Sequence, residues 1–88
     1  MNLKQLIIAF LAPRDPAAYP AAAIAQRINA SRMLDRRCTV DEVENALRSL
    51  HKMEMVGMNI NKLDDSPVWQ ITPNGFKEWA ITGKVTVV

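Results

Sequence analysis

One cysteine, one histidine and three glycines are spread over 88 residues. With Cys38 as the only thiol, no internal disulfide can form, which suits a reducing compartment. His51 and Cys38 alone cannot build a metal cluster. No glycine-rich phosphate loop is present, and no nucleophile–base–orienter set is visible. The expectation is a protein that is not an enzyme and that uses no metal and no cofactor. Aromatic residues are also scarce: two Phe, two Trp and one Tyr. Leu, Ile, Val, Met and Ala must fill most of the core. Long apolar runs are missing too. The longest, Leu6 to Ala12, falls far short of the ~20 residues a membrane helix needs. The start "MNLKQLIIAFLAP" has a short apolar stretch, but "PRDPAAYP" after it is a poor signal cleavage site. A cytoplasmic protein without membrane contact is expected.

The excess of positive charge is small, at net +2 from 11 basic and 9 acidic residues. Its distribution is uneven. Residues 27 to 37 hold Arg27, Arg32, Arg36 and Arg37 against Asp35, whereas residues 41 to 54 hold Asp41, Glu42, Glu44 and Glu54 against Arg48 and Lys52. The basic excess therefore precedes the most regular helical stretch, "TVDEVENALRSLHK", and the acids sit in its first turns.

What is present has clear periodicity. Asn2 and Gln5 have capping-box spacing, and Leu3, Leu6, Ile7, Phe10 and Leu11 recur as on a helix that stops before Pro13. "PRDPAAYP" reads as a stiff loop. A second helix is expected with Pro20 in its first turn, Ile24, Ala25 and Ile28 buried, and an end at Asn29 or Ser31. In "SRMLDRRC", Met33 or Leu34 must tuck inward. Thr39 and Glu42 form a capping box for a third helix, Val40 to Lys52. Its face is Val43, Ala46, Leu47 and Leu50, with Val40 and Met53 at the ends. The period then becomes two. Val56, Met58 and Ile60 mark one strand and "VWQIT" a second, joined through a turn at "NKLDDSP". Thr72 caps a last helix with Pro73 first, Phe76, Trp79 and Ala80 as its apolar positions, and Gly83 at its end. "KVTVV" adds a short strand or frays. Trp69 and Trp79 belong to the core, with Trp69 the one that could reach a partner. Cys38 fits a small buried residue.

This order resembles the winged helix–turn–helix domains. "TVDEVENALRSLHKMEMV" is similar to their third helix and the start of the wing. "VWQITPNGF" is similar to the returning wing strand and its exit, the "Y-x-L-T-x-x-G" pattern of the MarR and PadR groups. "AAAIAQRIN" is similar to their second helix. The resemblance covers residues 3 to 82. It departs from the pattern where Glu54 or Met55 replaces a glycine before the first wing strand, and where the connection before Thr39 is long and arginine-rich. It implies an α+β, mainly α, single domain: a three-helix helix–turn–helix core, a two-stranded β-hairpin wing and a C-terminal helix. It also implies a small DNA-binding transcriptional regulator. The third helix would enter the major groove of double-stranded DNA with Asn45, Arg48, Ser49 and Lys52 outward. Arg32, Arg36 and Arg37 would approach phosphates from the turn, and Lys62 from the wing. Asp41 and Glu42 suit a helix N-terminus but disfavour base reading by the first turn. The turn arginines could instead pair with Asp35, Asp41 or Glu44, and Arg48 and Lys52 with Glu44 and Asp41. A homodimer is expected, through the first helix or "ITGKVTVV", and the economy of one bare domain suits a phage or mobile element. The alternative is a winged helix that binds a protein partner and no DNA.

Overall fold

Two reciprocal hydrogen-bond exchanges fix where two helices begin. The Gln5 amide donates to Asn2 Oδ1 and the Asn2 amide to Gln5 Oε1, both at 2.9 Å. The Glu42 amide donates to Thr39 Oγ1 at 3.1 Å, and the Thr39 amide to Glu42 Oε1 at 3.2 Å. Each exchange satisfies first-turn amides that the helix itself leaves without acceptors. The computed structural model describes residues 1–88 and runs α1 (Leu3–Leu11), α2 (Ala21–Ser31), α3 (Val40–Lys52), β1 (Val56–Ile60), β2 (Pro67–Ile71) and α4 (Pro73–Ile81). The chain is thus α+β and mainly helical, with four helices and one two-stranded antiparallel sheet.

Helix α1 is the centre of the core. Every residue from Leu6 to Ala12 is at most 5% exposed, so beyond its first turn the helix is covered on all sides rather than along one stripe. A helix apolar all round has to be buried in this way. It packs against α2, α3 and α4. Ile24, Ala25 and Ile28 of α2 and Val43, Ala46, Leu47 and Leu50 of α3 complete the interior. Val40 and Met53, expected to extend the α3 face, are 41% and 46% exposed because they lie at the ends of the packed face.

The prolines act slightly differently from their sequence reading. The α-helix stops at Leu11, but a single 3-10 turn, Ala12–Arg14, carries the chain through Pro13. Pro20 is the residue before α2, in an extended conformation, so the helix proper starts at Ala21. The Asp15–Pro16 peptide is cis. Tyr19 then forms an isolated bridge to Trp69, donating at 2.9 Å and accepting at 2.8 Å, which the loop reading of "PRDPAAYP" did not anticipate.

Strands β1 and β2 pair in register, Val56 with Ile71 through Ile60 with Pro67. The Asn61 amide donates to Ser66 O at 2.8 Å and the Thr72 amide to Met55 O at 3.2 Å. Alternation along the ladder then turns Met55, Gly57, Asn59 and Asn61 toward β2, and the backbone groups of Val56, Met58 and Ile60 away from it. On β2, Trp69 faces away from β1 and meets Tyr19. Trp69 is 5% exposed, so it is a core residue and not a stacking surface.

The junctions at the hairpin's base are tight. Helix α3 ends with the Met55 amide donating to Leu50 O at 2.9 Å and the Glu54 amide to His51 O at 3.0 Å, with Glu54 at φ 61°. This pairing closes a helix C-terminus around a left-handed residue. Thr72 Oγ1 donates to Glu54 O at 2.6 Å and accepts from the Gly75 amide at 3.1 Å. Gly75 is buried against the backbone carbonyl of Met55, where no Cβ has room. In α4, Trp79 is 9% exposed, but Phe76 is 38% exposed and Ala80 lies on the surface. The helix buries a narrower stripe than its apolar residues suggest.

Residues 84 to 88 neither form a strand nor fray. Val87 is fully buried and its amide donates to Ala9 O at 3.2 Å. The Trp79 indole donates to Val85 O at 2.7 Å. Arg14 ties the tail down, donating from Nη1 to Phe10 O and Val87 O at 2.8 Å each, with its guanidinium 4.1 Å from the Phe10 ring centre.

Candidate nucleic-acid interface

Helix α3 buries Val43, Ala46, Leu47 and Leu50, so helical period places Asp41, Asn45, Arg48 and Lys52 on the opposite stripe. All four are exposed. Ser49 lies on the flank of that stripe and is half-buried. Of the four residues expected to face outward together, Asn45, Arg48 and Lys52 share the solvent stripe and Ser49 does not. Asn45 also lines an open groove of about 460 Å³ with Asn2, Leu3, Lys4 and Ala46. Lys4 adds a cation beside Asn45 that reading the helix alone could not reveal, since the groove joins two elements distant in the chain.

The arginine turn is a closed loop. Asn29 on α2 donates from Nδ2 to Cys38 O at 2.9 Å and accepts the Cys38 amide at 2.8 Å. This two-bond clamp pins both ends of residues 30 to 37. Arg32 leaves α2 in the left-handed conformation, φ 57°, and turns the chain out of the helix. Met33 and Leu34 are both half-buried and anchor the loop from inside. Arg32, Arg36 and Arg37 all remain exposed, around a shallow concavity of about 420 Å³ lined also by Asn29, Leu34 and Asp35. Asn29 was expected only as a helix end. Its role as a clamp had no local signal, because its partner lies nine residues on.

One ion pair exists in the molecule: Arg36 Nη2 to Glu42 Oε2, at 2.7 Å. The partner is the capping-box glutamate rather than Asp35, Asp41 or Glu44. Hydrogen bonding by the Arg36 guanidinium, then by the Thr39 amide, holds the Glu42 carboxyl below the usual glutamate range. Arg48 and Lys52 pair with neither Glu44 nor Asp41, and Arg32, Arg37 and Lys62 carry no ion pair either. Burial pushes the Cys38 thiol up, and its Sγ lies 3.3 Å from Asn29 Oδ1, so it serves as a small core residue.

Lys62 sits at the tip of the hairpin, exposed, beside Leu63 at 95% exposure. Asp64 accepts from the Ser66 hydroxyl at 2.6 Å and the Ser66 amide at 3.1 Å, contacts that hold its carboxyl below the usual aspartate range. Asp64 therefore has a turn-forming role, while Asp65 is exposed at φ 59°. The arginine loop precedes the N-terminus of α3 and the hairpin follows its C-terminus. The two cationic groups bracket a helix about 20 Å long at 1.5 Å per residue.

No three-residue cluster of His, Cys, Asp or Glu is placed to hold a metal ion. No helix is long and apolar enough to cross a membrane. No protein-family model matches the chain, and no curated protein matches it.

Proposed function

We propose that the chain is a winged helix–turn–helix domain that binds double-stranded DNA and acts in transcription regulation. In this reading α2 and α3 form the helix–turn–helix, the β1–β2 hairpin is the wing, and α3 lies in the major groove. The observation that carries it is the set of exposed cations without intramolecular acid partners: Arg32 and Arg37 before α3, Arg48 and Lys52 on its outward stripe, Lys62 on the hairpin. Phosphates are the acceptors such an arrangement suits, and their neutralisation releases counterions. Asn45 and Arg48 have the chemistry to read adenine and guanine edges. Asp41 at the start of the stripe moves the reading to the later half of the helix.

Fluorescence anisotropy with labelled duplex DNA over a salt series tests this. Affinity is expected to fall steeply with salt. Arg37→Ala and Lys62→Ala should each reduce the slope of log K against log salt by about one. Arg48→Ala should weaken binding selectively at particular sequences. Absence of salt-dependent binding to any duplex overturns the reading. A second reading has its own observation: Met58, Ile60 and Leu63 on the hairpin are 42%, 51% and 95% exposed, an apolar strip that suits a protein partner.

A further inference from the structure

An α-helix with its side chains is about 10–12 Å across, and the major groove is about 12 Å wide. A helix seated there is bordered by a phosphate backbone along each flank. Helical period gives α3 two flanks beside its outward stripe. Glu44 and His51, two turns apart, mark one, and Glu42 and Ser49, also two turns apart, mark the other. The hairpin borders the first flank, since the His51 and Trp69 rings meet edge to face with centres 6.1 Å apart. The start of α1 borders the second: Asn2, Leu3 and Lys4 line an open groove with Asn45 and Ala46. Arg36 reaches this same flank from the arginine loop, through its ion pair with Glu42.

We propose that Lys4 holds a phosphate of the DNA strand that runs along the Glu42–Ser49 flank. This rests on the DNA-binding reading and adds to it a contact made by α1. Lys4 is exposed and has no acid partner, because the one ion pair in the molecule joins Arg36 to Glu42. It is the only charged side chain on α1, so no carboxylate of that helix repels a phosphate. Glu42, the carboxylate on that flank of α3, is already met by the Arg36 guanidinium and the Thr39 amide. Asp41 falls on the far side of Asn45 from Ala46, away from the groove. The backbone under Lys4 is firmly placed. Asn2 and Gln5 close a capping box around it, and Leu3 packs against the core. A cation mounted on a rigid element loses only its own side-chain freedom on binding. Lys4 thus fixes the backbone beside the bases within reach of Asn45, and Lys62 serves the strand on the hairpin flank. Lys77 is a different case: it is exposed on α4 and lines a groove with Asp15 and Phe76 that includes no residue of α3.

Lys4→Gln removes the charge and keeps most of the side chain. Anisotropy with labelled duplex DNA over a salt series should show the slope of log K against log salt reduced by about one, equally for every duplex sequence. Lys4→Arg should keep the wild-type slope, and Lys77→Gln should leave it unchanged. Lys4→Gln combined with Lys62→Ala should lower it by about two, because the two contacts lie on separate strands. An unaltered urea midpoint for Lys4→Gln separates a lost contact from lost folding. An unchanged slope for Lys4→Gln, where Arg37→Ala does lower it, overturns this contact and leaves DNA binding standing. A loss confined to particular sequences also overturns it, since the partner is then a base and not a phosphate. Absence of salt-dependent duplex binding by the unsubstituted protein overturns the DNA reading and this contact with it.

Discussion

Glu54 occupies the left-handed region at the end of α3, φ 61°, where a Cβ is unfavourable. The residues around it form the hydrogen-bond pattern that a glycine usually completes. Glu54→Gly is therefore expected to stabilise the protein by about 0.5–1 kcal/mol, the strain relieved minus the added chain entropy. A rise in the urea midpoint at unchanged slope checks it. Gly75 is the reverse case. A Cβ there would press on Met55 O and sit 2.6 Å from Ile71 Cδ1. Gly75→Ala should cost about 1–3 kcal/mol or more, because the obstacle is largely backbone and cannot swing aside. Thermal unfolding measures the loss. The sequence made Gly75 visible as part of a motif, but the reason for it, the approach of Met55, required the fold.

At the scale of elements, the start of α3 joins a cap to a charge. Glu42 serves the Thr39 amide and the Arg36 guanidinium together. Its carboxyl is held below the usual range, so the folded state keeps the ionised form longer than the unfolded chain does. The stability it contributes is present above the usual glutamate pKa of about 4.3 and is lost as pH falls through the lowered folded value. Glu42→Gln should flatten that part of the acid unfolding curve, measured by denaturant titration from pH 6 down. The same substitution releases Arg36 and, on the DNA reading, should strengthen binding modestly at low salt. The loop before the helix depends on a different group. Asn29→Ala leaves the Cys38 amide and carbonyl without partners and should cost about 1–3 kcal/mol. Faster amide exchange across residues 32 to 38 is the local signature.

Over the whole molecule, what the sequence revealed and what it hid divide by distance along the chain. Asn2 with Gln5, Thr39 with Glu42 and Thr72 with Pro73 are neighbours, so the helix starts were legible from spacing. The stripes of α2 and α3 and the alternation in the hairpin were legible for the same reason. Tyr19 against Trp69, Asn29 against Cys38 and Val87 against Ala9 join residues whose partnership no local pattern encodes. The exposure of Phe76 and Ala80 was hidden because an apolar residue reads the same on a covered and an uncovered face. The expected dimer contact through the first helix meets a further obstacle: Leu6 to Ala12 are already covered within one protomer. For the candidate site, residue types and placement on α3 were legible. The pairing of Arg36 with Glu42, and the lack of acid partners for the other cations, were not.

Because α1 from Leu6 onward is covered on every side and Val87 closes over Ala9, the order of synthesis matters. Leu6 to Ala12 leave the ribosome well before the last of the residues that shelter them has been made. Helices α2 and α3 follow and cover most of α1, but the side at Ala9 stays oily and open until residue 87 clears the exit tunnel. Val87→Asp should then damage yield in cells more than its effect on purified protein suggests. Soluble expression with and without chaperone overproduction, set beside the thermal midpoint, would measure that difference.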